Sequence, residues 1–182
     1  RCLVRSRFAA RFGQSLDCDE GARYIRCLSL LIWDLDILLS ETTLATHPLQ
    51  AHLGDRVMLL GYDLPQDTVH PGDNLVLTLY WQATAQMDKD YTVFVHVADE
   101  AGYAVAQNDA WPVDSRYPTS DWRTGTVLGD RVVVSIPPDT PPGEYQLRVG
   151  MYLLETMERL PVASDASGQN AVALGMVRVE EP

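Results

Sequence analysis

Hydrophobic and polar residues alternate with a period of two along most of the chain after residue 48. Because successive side chains of a β-strand point to opposite faces, this period predicts strands with one buried face. The clearest case follows Gly143, where Tyr145, Leu147, Val149 and Met151 fall on one side. The pattern predicts about eight strands, at 57–64, 75–85, 91–99, 103–109, 126–137, 144–154, 159–163 and 171–180.

A proline-rich loop separates the strand at 126–137 from the strand at 144–154. Proline fixes φ and cannot donate to a β ladder, so the four prolines between 137 and 142 end one strand and stiffen the connection. The connections between strands are too short for crossover helices, which argues against a parallel sheet. The sequence predicts an all-β fold, an antiparallel two-sheet sandwich of Ig-like or jelly-roll-like form.

The first part of the chain lacks this alternation. We expect a helix over about 19–39, a linker over 40–48, and two regions overall: a helical or poorly ordered extension at 1–47 and a sandwich domain at 48–182. The apolar run 28–39 is short and contains Asp34 and Asp36, so we expect no membrane span in this chain. The three cysteines all lie within residues 1–27, so no disulfide framework is expected in the sandwich.

The net charge of −11 lies wholly after residue 47. Residues 1–47 hold six arginines and six acidic residues, whereas the remainder holds 8 basic and 19 acidic residues. Such a surface repels phosphate, so we expect no nucleic-acid partner and no anionic-lipid partner. It is compatible with neutral glycans, with cations, or simply with solubility.

One candidate binding site is the long loop 110–125. It holds Trp111, Tyr117 and Trp122 together with Arg116, and it directly follows Asp109. Aromatic rings beside charged hydrogen-bonding groups are what a sugar site requires. The alternative, which we favour, is that these rings anchor the loop to the sheets.

A second candidate site lies on the strand faces opposite the predicted core. Tyr80, Phe94, His96, Arg148 and Tyr152 all point to that side of their strands. If these strands are neighbours, the side chains form an aromatic and basic patch that offers a binding platform. The alternative is that the N-terminal helix or the long loop covers this face. Trp81, by contrast, aligns with three leucines and is expected in the core.

No catalytic or cofactor motif is present: GxSxG, HExxH and the Walker A loop are all absent. We therefore expect a protein that is not an enzyme and that has no cofactor. Many aspartates occur in predicted turns, where they accept backbone hydrogen bonds. A structural calcium site at a sandwich edge is the weaker alternative.

The ordered series LGYDL, PGDNLVLTLYWQA, DYTVFVHVAD, AQND, YPTSDWRTG, IPPDTPPGEYQLRVGMY and ERLPV resembles a bacterial accessory β-sandwich module. This module occurs at the extracytoplasmic C-terminal ends of membrane proteins similar to family 39 (protein-mannosyltransferase-like) glycosyltransferases, particularly of Chloroflexi type. The resemblance covers roughly residues 50–180 and implies no catalytic residues. Residues 1–45 do not share it and lack the many transmembrane helices of such parents, so we expect a fragment or a detached module.

Together these observations predict a non-catalytic accessory module at the cell exterior that handles or binds a glycan. Its expected partners are a glycan or the parent membrane protein, and the glycan part rests on the resemblance and the loop aromatics. The first alternative is a structural or protein-interaction module with no small-molecule ligand. A small glycan-active hydrolase is the less favoured alternative.

Overall fold

Two β-sheets make up the part of the chain that the computed structural model describes, residues 38–39 and 45–181. In chain order the strands are β1 (Leu38–Leu39), β2 (His47–Leu53), β3 (Val57–Asp63), β4 (Thr68–Val69), β5 (Asn74–Ala83), β6 (Tyr91–Ala98), β7 (Ala104–Ala110), β8 (Val127–Ser135), β9 (Gly143–Leu153), β10 (Glu158–Arg159) and β11 (Val172–Val179). A four-residue turn, Pro112–Ser115, and a single 3-10 turn, Thr119–Asp121, lie between β7 and β8.

The strand order separates the chain into sheet A and sheet B. Sheet A has the order β1-β8-β5-β3-β2, and sheet B has the order β4-β11-β9-β6-β7, with β10 paired to β9. The strand pairs are antiparallel, apart from β4 and β11, which pair in parallel. The prediction of an all-β sandwich is confirmed.

In the described part of the chain, the larger of two hydrophobic clusters fills the space between the two sheets, and the smaller one, Phe94, Tyr152 and Ala171, lies on the outward side of sheet B. The inward faces predicted for β5, β6 and β9 are buried, apart from Tyr91, which is half-buried at the start of β6. Those buried side chains are Leu75, Leu77, Leu79, Trp81, Val93, Val95, Val97, Tyr145, Leu147, Val149 and Met151. The period-two alternation therefore identified the core correctly, because it reports directly which side chains face the opposite sheet.

The proline loop ends β8 and leads into β9 as predicted. Thr140 N–H donates to the carbonyl of Pro137 over 3.1 Å, which closes a turn within the loop. The hydroxyl of Tyr145 then donates to the carbonyl of Pro141 over 2.7 Å. This bond joins the loop to the first inward-facing residue of β9.

The structure differs from the sequence prediction mainly before residue 57. Most of the predicted helix 19–39 lies outside the described residues, as do all three cysteines. The end of this prediction is wrong, because Leu38–Leu39 form strand β1. The predicted linker is also wrong at His47 and Pro48, which belong to β2. Strand β2 lacks a clear alternating pattern because only its last residues, including Leu53, are buried. No helix in the described part of the chain has the length and hydropathy needed to cross a membrane.

Candidate functional site

The outward face of sheet B brings together five side chains that we call the outer-face cluster. Its members are Phe94, His96, Asp109, Arg148 and Tyr152. Strand register explains their grouping: His96 on β6 lies opposite Arg148 on β9, and Phe94 lies opposite Asp109 on β7. Residues paired across antiparallel strands share a face, so three adjacent strands contribute to one surface.

Asp109 is the centre of the polar contacts in the outer-face cluster. The hydroxyl of Tyr152 donates to Asp109 Oδ2 over 3.2 Å. Burial, followed by the negative charge of Asp109, raises the pKa of Tyr152. His96 Nε2 lies 3.4 Å from Asp109 Oδ1, but it is buried and makes no hydrogen bond of good geometry. The contact becomes an ion pair only when the imidazole is protonated.

Phe94 forms the apolar floor of this cluster and is almost fully buried, at 1% exposure. Its ring lies against Gly150 on β9, and Arg159 lies over the ring, with its Cζ 4.3 Å from the ring centroid. The His96 ring packs beside it, with 4.7 Å between the centroids. A cation over an aromatic face is an attractive arrangement, so this contact stabilises Arg159, the last residue of β10, on the outward face of sheet B.

Arg148 is held in a fixed orientation by two amide side chains. Its Nε donates to Gln146 Oε1 over 2.9 Å, and its Nη1 donates to Gln169 Oε1 over 2.8 Å. Gln169 belongs to the polar loop that precedes β11, and its carbonyl also accepts a bond from Arg159. This loop, rather than the loop 110–125, covers part of the outward face of sheet B.

Tyr80 does not belong to the outer-face cluster, because β5 lies in sheet A. The sequence hypothesis that grouped it with His96 and Arg148 is wrong on this point: alternation shows which face a residue occupies but not which sheet. The Tyr80 hydroxyl donates to Asp63 Oδ2 over 2.5 Å. Burial, and then this bond to a carboxylate, raises the pKa of Tyr80 to about 12.

Three aromatic residues of the loop 110–125 occupy different environments. Trp122 is buried, at 3% exposure, and its Nε1 donates to the carbonyl of Tyr117 over 3.3 Å. Tyr117 is half-buried against the core, whereas Trp111 is 38% exposed. Arg116 is exposed and forms an ion pair with Asp114 at 3.2 Å. Trp122 and Tyr117 are thus placed as loop anchors, and Trp111 retains an accessible ring.

Asp130 is a buried carboxyl that the sequence hypothesis missed. It is 2% exposed and points inward from β8 between Leu128 and Val132. Val113 N–H donates to its Oδ1 over 2.8 Å. Burial is the main reason that the pKa of Asp130 is raised to about 6. The hydrogen bond from Val113 limits this rise. The nearby indole N–H of Trp81 limits it too, although its geometry falls short of a hydrogen bond. The alternation of β8 was a usable signal, because it places Asp130 on the inward face.

The turn Pro112–Ser115 that contacts Asp130 has an unusual backbone. Val113, Asp114 and Ser115 have φ values of 56°, 52° and 62°, all in the left-handed region. Each such residue costs on the order of 1 kcal/mol. Ser115 N–H donates to the carbonyl of Trp111 over 2.9 Å and closes the turn. Val113, the first residue of this strained run, is the one whose N–H reaches the buried carboxyl of Asp130.

Within residues 45–181, no three His, Cys, Asp or Glu side chains come together in a way that suits a metal ion. The aspartates that hold turns include Asp165, which accepts bonds from the backbone and hydroxyl of Ser167 over 2.8 Å and 2.6 Å. These bonds, the hydroxyl bond first, lower the pKa of Asp165 to about 2. Asp165 caps its own loop in this way, and Asp99, one of the turn aspartates singled out from the sequence, accepts the Tyr103 N–H over 2.8 Å.

No protein-family model matches the chain, and no curated protein matches it. A family 123 glycoside hydrolase from Clostridium perfringens is similar in structure at a TM-score of 0.40 and 9% identity, over 63% of this chain and 22% of that chain. A Niemann-Pick type C2 protein from the Japanese carpenter ant has a TM-score of 0.42 and 6% identity, over 77% of this chain and 100% of that chain. An alkylpurine DNA glycosylase from Pseudomonas fluorescens has a TM-score of 0.38 and 13% identity, over 70% of this chain and 31% of that chain. Similarities this weak carry no argument about ligand or activity.

Proposed function

We propose that the sandwich is a non-catalytic accessory module that binds a neutral glycan on the outward face of sheet B. The observation that carries this proposal is a row of polar side chains across three neighbouring strands: Gln107 on β7, His96 on β6 and Arg148 on β9. Such a row offers donors and acceptors at the spacing of adjacent strands, roughly 5 Å. Sugar hydroxyl groups require both kinds of partner.

The fixed orientation of Arg148 supports this proposal. Its two side-chain partners, Gln146 and Gln169, are neutral amides, so the positive charge is not cancelled by a carboxylate. A guanidinium held in place loses little side-chain entropy when a ligand binds. Its remaining N–H groups are donors for hydroxyl oxygens.

Tyr103 supplies an accessible aromatic surface at the end of this row. It is 75% exposed and follows Gly102, where an added Cβ would lie 3.4 Å from Arg148 Nη1. An aromatic side chain with an apolar face and a polar tip is well suited to a ligand that is apolar on one side and hydroxylated on the other. Tyr103 was not among the residues selected from the sequence.

The chemistry of the outer-face cluster favours binding over hydrolysis. Acid–base hydrolysis of a glycoside ordinarily needs two carboxyl groups on either side of the bond. The cluster contains one, Asp109, and that carboxylate is already engaged by Tyr152 and faces His96. The location outside the cytoplasm and the attachment to a membrane glycosyltransferase-like parent rest on the sequence resemblance, and they remain part of the proposal.

Glycan binding is tested by screening the full chain on an array of neutral oligosaccharides and then titrating a positive sugar by NMR. We expect shifts at Gln107, Arg148 and Tyr103. Replacement Arg148→Ala should weaken binding at least about tenfold, because a charge-assisted hydrogen bond is lost. Arg131→Ala, which removes an exposed arginine from sheet A, is the matched control and should bind normally. A blank array, or shifts confined to sheet A, would overturn the proposal.

A protein-docking role is the second candidate, and it is supported by the hairpin between β9 and β10. Leu154 and Met157 at its tip are 59% and 66% exposed. Exposed large apolar side chains on one turn are a feature of partner-binding surfaces. Two results together would favour docking. The glycan array would be blank, and hydrogen exchange at this hairpin would be slower in the presence of the membrane parent. Leu154→Ser should then abolish that protection.

A further inference from the structure

Two arginines converge on a single residue, Gln169, at the outward face of sheet B. Arg148 Nη1 donates to Gln169 Oε1 over 2.8 Å, and Arg159 Nη1 donates to the carbonyl of Gln169 over 2.8 Å. The two arginines come from different strands, Arg148 from β9 and Arg159 from β10. Both guanidinium groups are therefore held by the same short piece of the loop that precedes β11.

The aromatic floor of the outer-face cluster brings Arg159 towards Arg148. Arg159 is paired in register with Tyr152 on β9. Its Cζ nevertheless lies 4.3 Å from the centroid of the Phe94 ring, which packs against Gly150. Because outward positions on β9 follow one another in steps of two, Gly150 lies between Tyr152 and Arg148. The Arg159 side chain thus leans along β9 in the direction of Arg148, over an apolar ring.

Neither Arg148 nor Arg159 has a carboxylate partner. Among residues 45–181, no Asp or Glu oxygen lies within 4.0 Å of either guanidinium. The side-chain and backbone groups that orient these two arginines are neutral amides and carbonyls. Other arginines of the sandwich do pair with carboxylates, namely Arg56, Arg116 and Arg178.

The carboxylates nearest to this part of the face are engaged elsewhere. Asp109 accepts the hydroxyl of Tyr152 and faces His96. Asp165, which shares a loop with Gln169, accepts hydrogen bonds from Ser167 and from the Ala171 N–H. Two positive charges are therefore held near each other without a counter-charge, although the chain has a net charge of −11 and an excess of carboxylates.

We propose that the outward face of sheet B binds a carboxylate group between Arg148 and Arg159. Arg148 uses two of its five N–H donors in protein hydrogen bonds and Arg159 uses one, so most of their donors remain for a ligand. The planar fork of a guanidinium matches the two oxygens of a carboxylate. Both side chains are half-buried, which allows contact with a ligand and reduces screening by water.

The charges around the site restrict the ligand to a compact monoanion. Asp109 and the net charge of −11 oppose a phosphate dianion more strongly than a carboxylate. The same carboxylate chemistry is offered by a sugar acid and by an acidic amino-acid side chain. This proposal does not rest on neutral-glycan binding, because it concerns the charge of the two arginines and not the hydroxyl contacts of the polar row.

The test is an NMR titration of the intact chain with sodium acetate at constant ionic strength, with the Nε–H signals of Arg148 and Arg159 as the readout. For so small a ligand we expect a dissociation constant on the order of 10 mM. Acetamide, the neutral analogue, should shift neither signal, and inorganic phosphate should bind more weakly than acetate. Arg159→Gln should weaken acetate binding at least about fivefold, because charge-assisted hydrogen bonds are lost. Arg131→Gln changes the net charge equally on sheet A and should bind normally.

The result would overturn the proposal if acetate shifts neither arginine signal of the wild type, which requires no variant to fold. Tighter binding of phosphate than of acetate, or equal weakening by Arg131→Gln and Arg159→Gln, would overturn it too. Shifts with glucose but not with acetate would leave neutral-glycan binding standing and remove the carboxylate site, whereas acetate binding with a blank glycan array would do the reverse.

Two further ligands identify the source of the carboxylate once acetate binds. Glucuronate and a doubly blocked aspartate carry the same group on a sugar and on an amino acid. Tighter binding of glucuronate than of blocked aspartate supports a sugar acid, because the hydroxyl groups add contacts to the polar row. The opposite order supports an acidic polypeptide, and either order supports the carboxylate site itself.

Discussion

A Cβ atom placed on Gly150 would lie 2.6 Å from Cε1 of Phe94. The two residues face each other across β6 and β9 on the outward side of sheet B. Glycine is therefore required at this position for lack of space, because the Phe94 ring occupies the volume of the missing side chain. The close approach also explains how a phenylalanine on an outward face becomes almost fully buried.

Gly150→Ala should lower the free energy of unfolding by about 1–3 kcal/mol, because the methyl group overpacks against Phe94. Urea unfolding measures the change. Gly143→Ala is the matched control on the same strand, since its added Cβ would meet other atoms only at ordinary contact distances of 3.6 Å and more. In the double variant with Phe94→Leu, the loss should be smaller than the sum of the two single losses. Additive losses would contradict the proposed contact.

Asp130 should make the fold more stable in mild acid than at neutral pH. Its folded-state pKa of about 6 exceeds the ordinary aspartate pKa of 3.8. Between these values the folded protein binds more protons than the unfolded chain, so the free energy of unfolding decreases as the pH rises from about 4 to 6. The total effect of this residue is on the order of 3 kcal/mol.

The variant Asp130→Asn isolates this effect from other titrating groups. An asparagine oxygen still accepts the Val113 N–H, so we expect the variant to be more stable than the wild type at pH 7 and nearly equal to it at pH 4. Urea unfolding of both proteins across this range provides the measurement, and Asp121→Asn serves as the control. If the variant and the wild type differ in unfolding free energy by the same amount at pH 4 and at pH 7, Asp130 titrates normally.

At pH values above the ordinary aspartate pKa, the Asp165 carboxylate should stabilise the loop 164–170. This stabilisation should be lost in acid. The pKa of Asp165 is lowered to about 2 by the hydrogen bonds from Ser167 and by a further bond from Ala171 N–H. Protonation therefore weakens the loop as the pH falls from 3.8 towards 2. Asp165→Ala should increase hydrogen exchange at Ala171 at neutral pH. Asp139→Ala, in the proline loop, should leave that amide unchanged.

Trp122 and Trp111 should differ sharply when each is replaced by alanine. Trp122 is buried in the core, so its loss should cost about 3–5 kcal/mol of unfolding free energy. Trp111 is 38% exposed, and its replacement should cost less than about 1 kcal/mol. Urea unfolding of the two variants tests this difference. Equal losses would mean that the loop 110–125 is not anchored by Trp122.

Much of the fold could be predicted because β alternation is a local property. The inward face of β5 is identified by the alternation of Leu75, Leu77 and Leu79 alone, and no other strand is needed. The short strands β1 and β4 carry no such signal, because two residues cannot display a period. Strand β2 was missed because its N-terminal half is exposed and contains Pro48.

The candidate site was only partly predictable, because it depends on which strands are neighbours. The sequence placed His96, Arg148 and Tyr152 on outward strand faces. Only the register of β6, β7 and β9 shows that Asp109 joins them. Only the strand order shows that Tyr80 lies on the other sheet. Strand order is set by non-local hydrogen bonds and core packing, which no local period records. The sequence alone therefore determined which side chains face inward, whereas the tertiary structure decided which outward side chains meet.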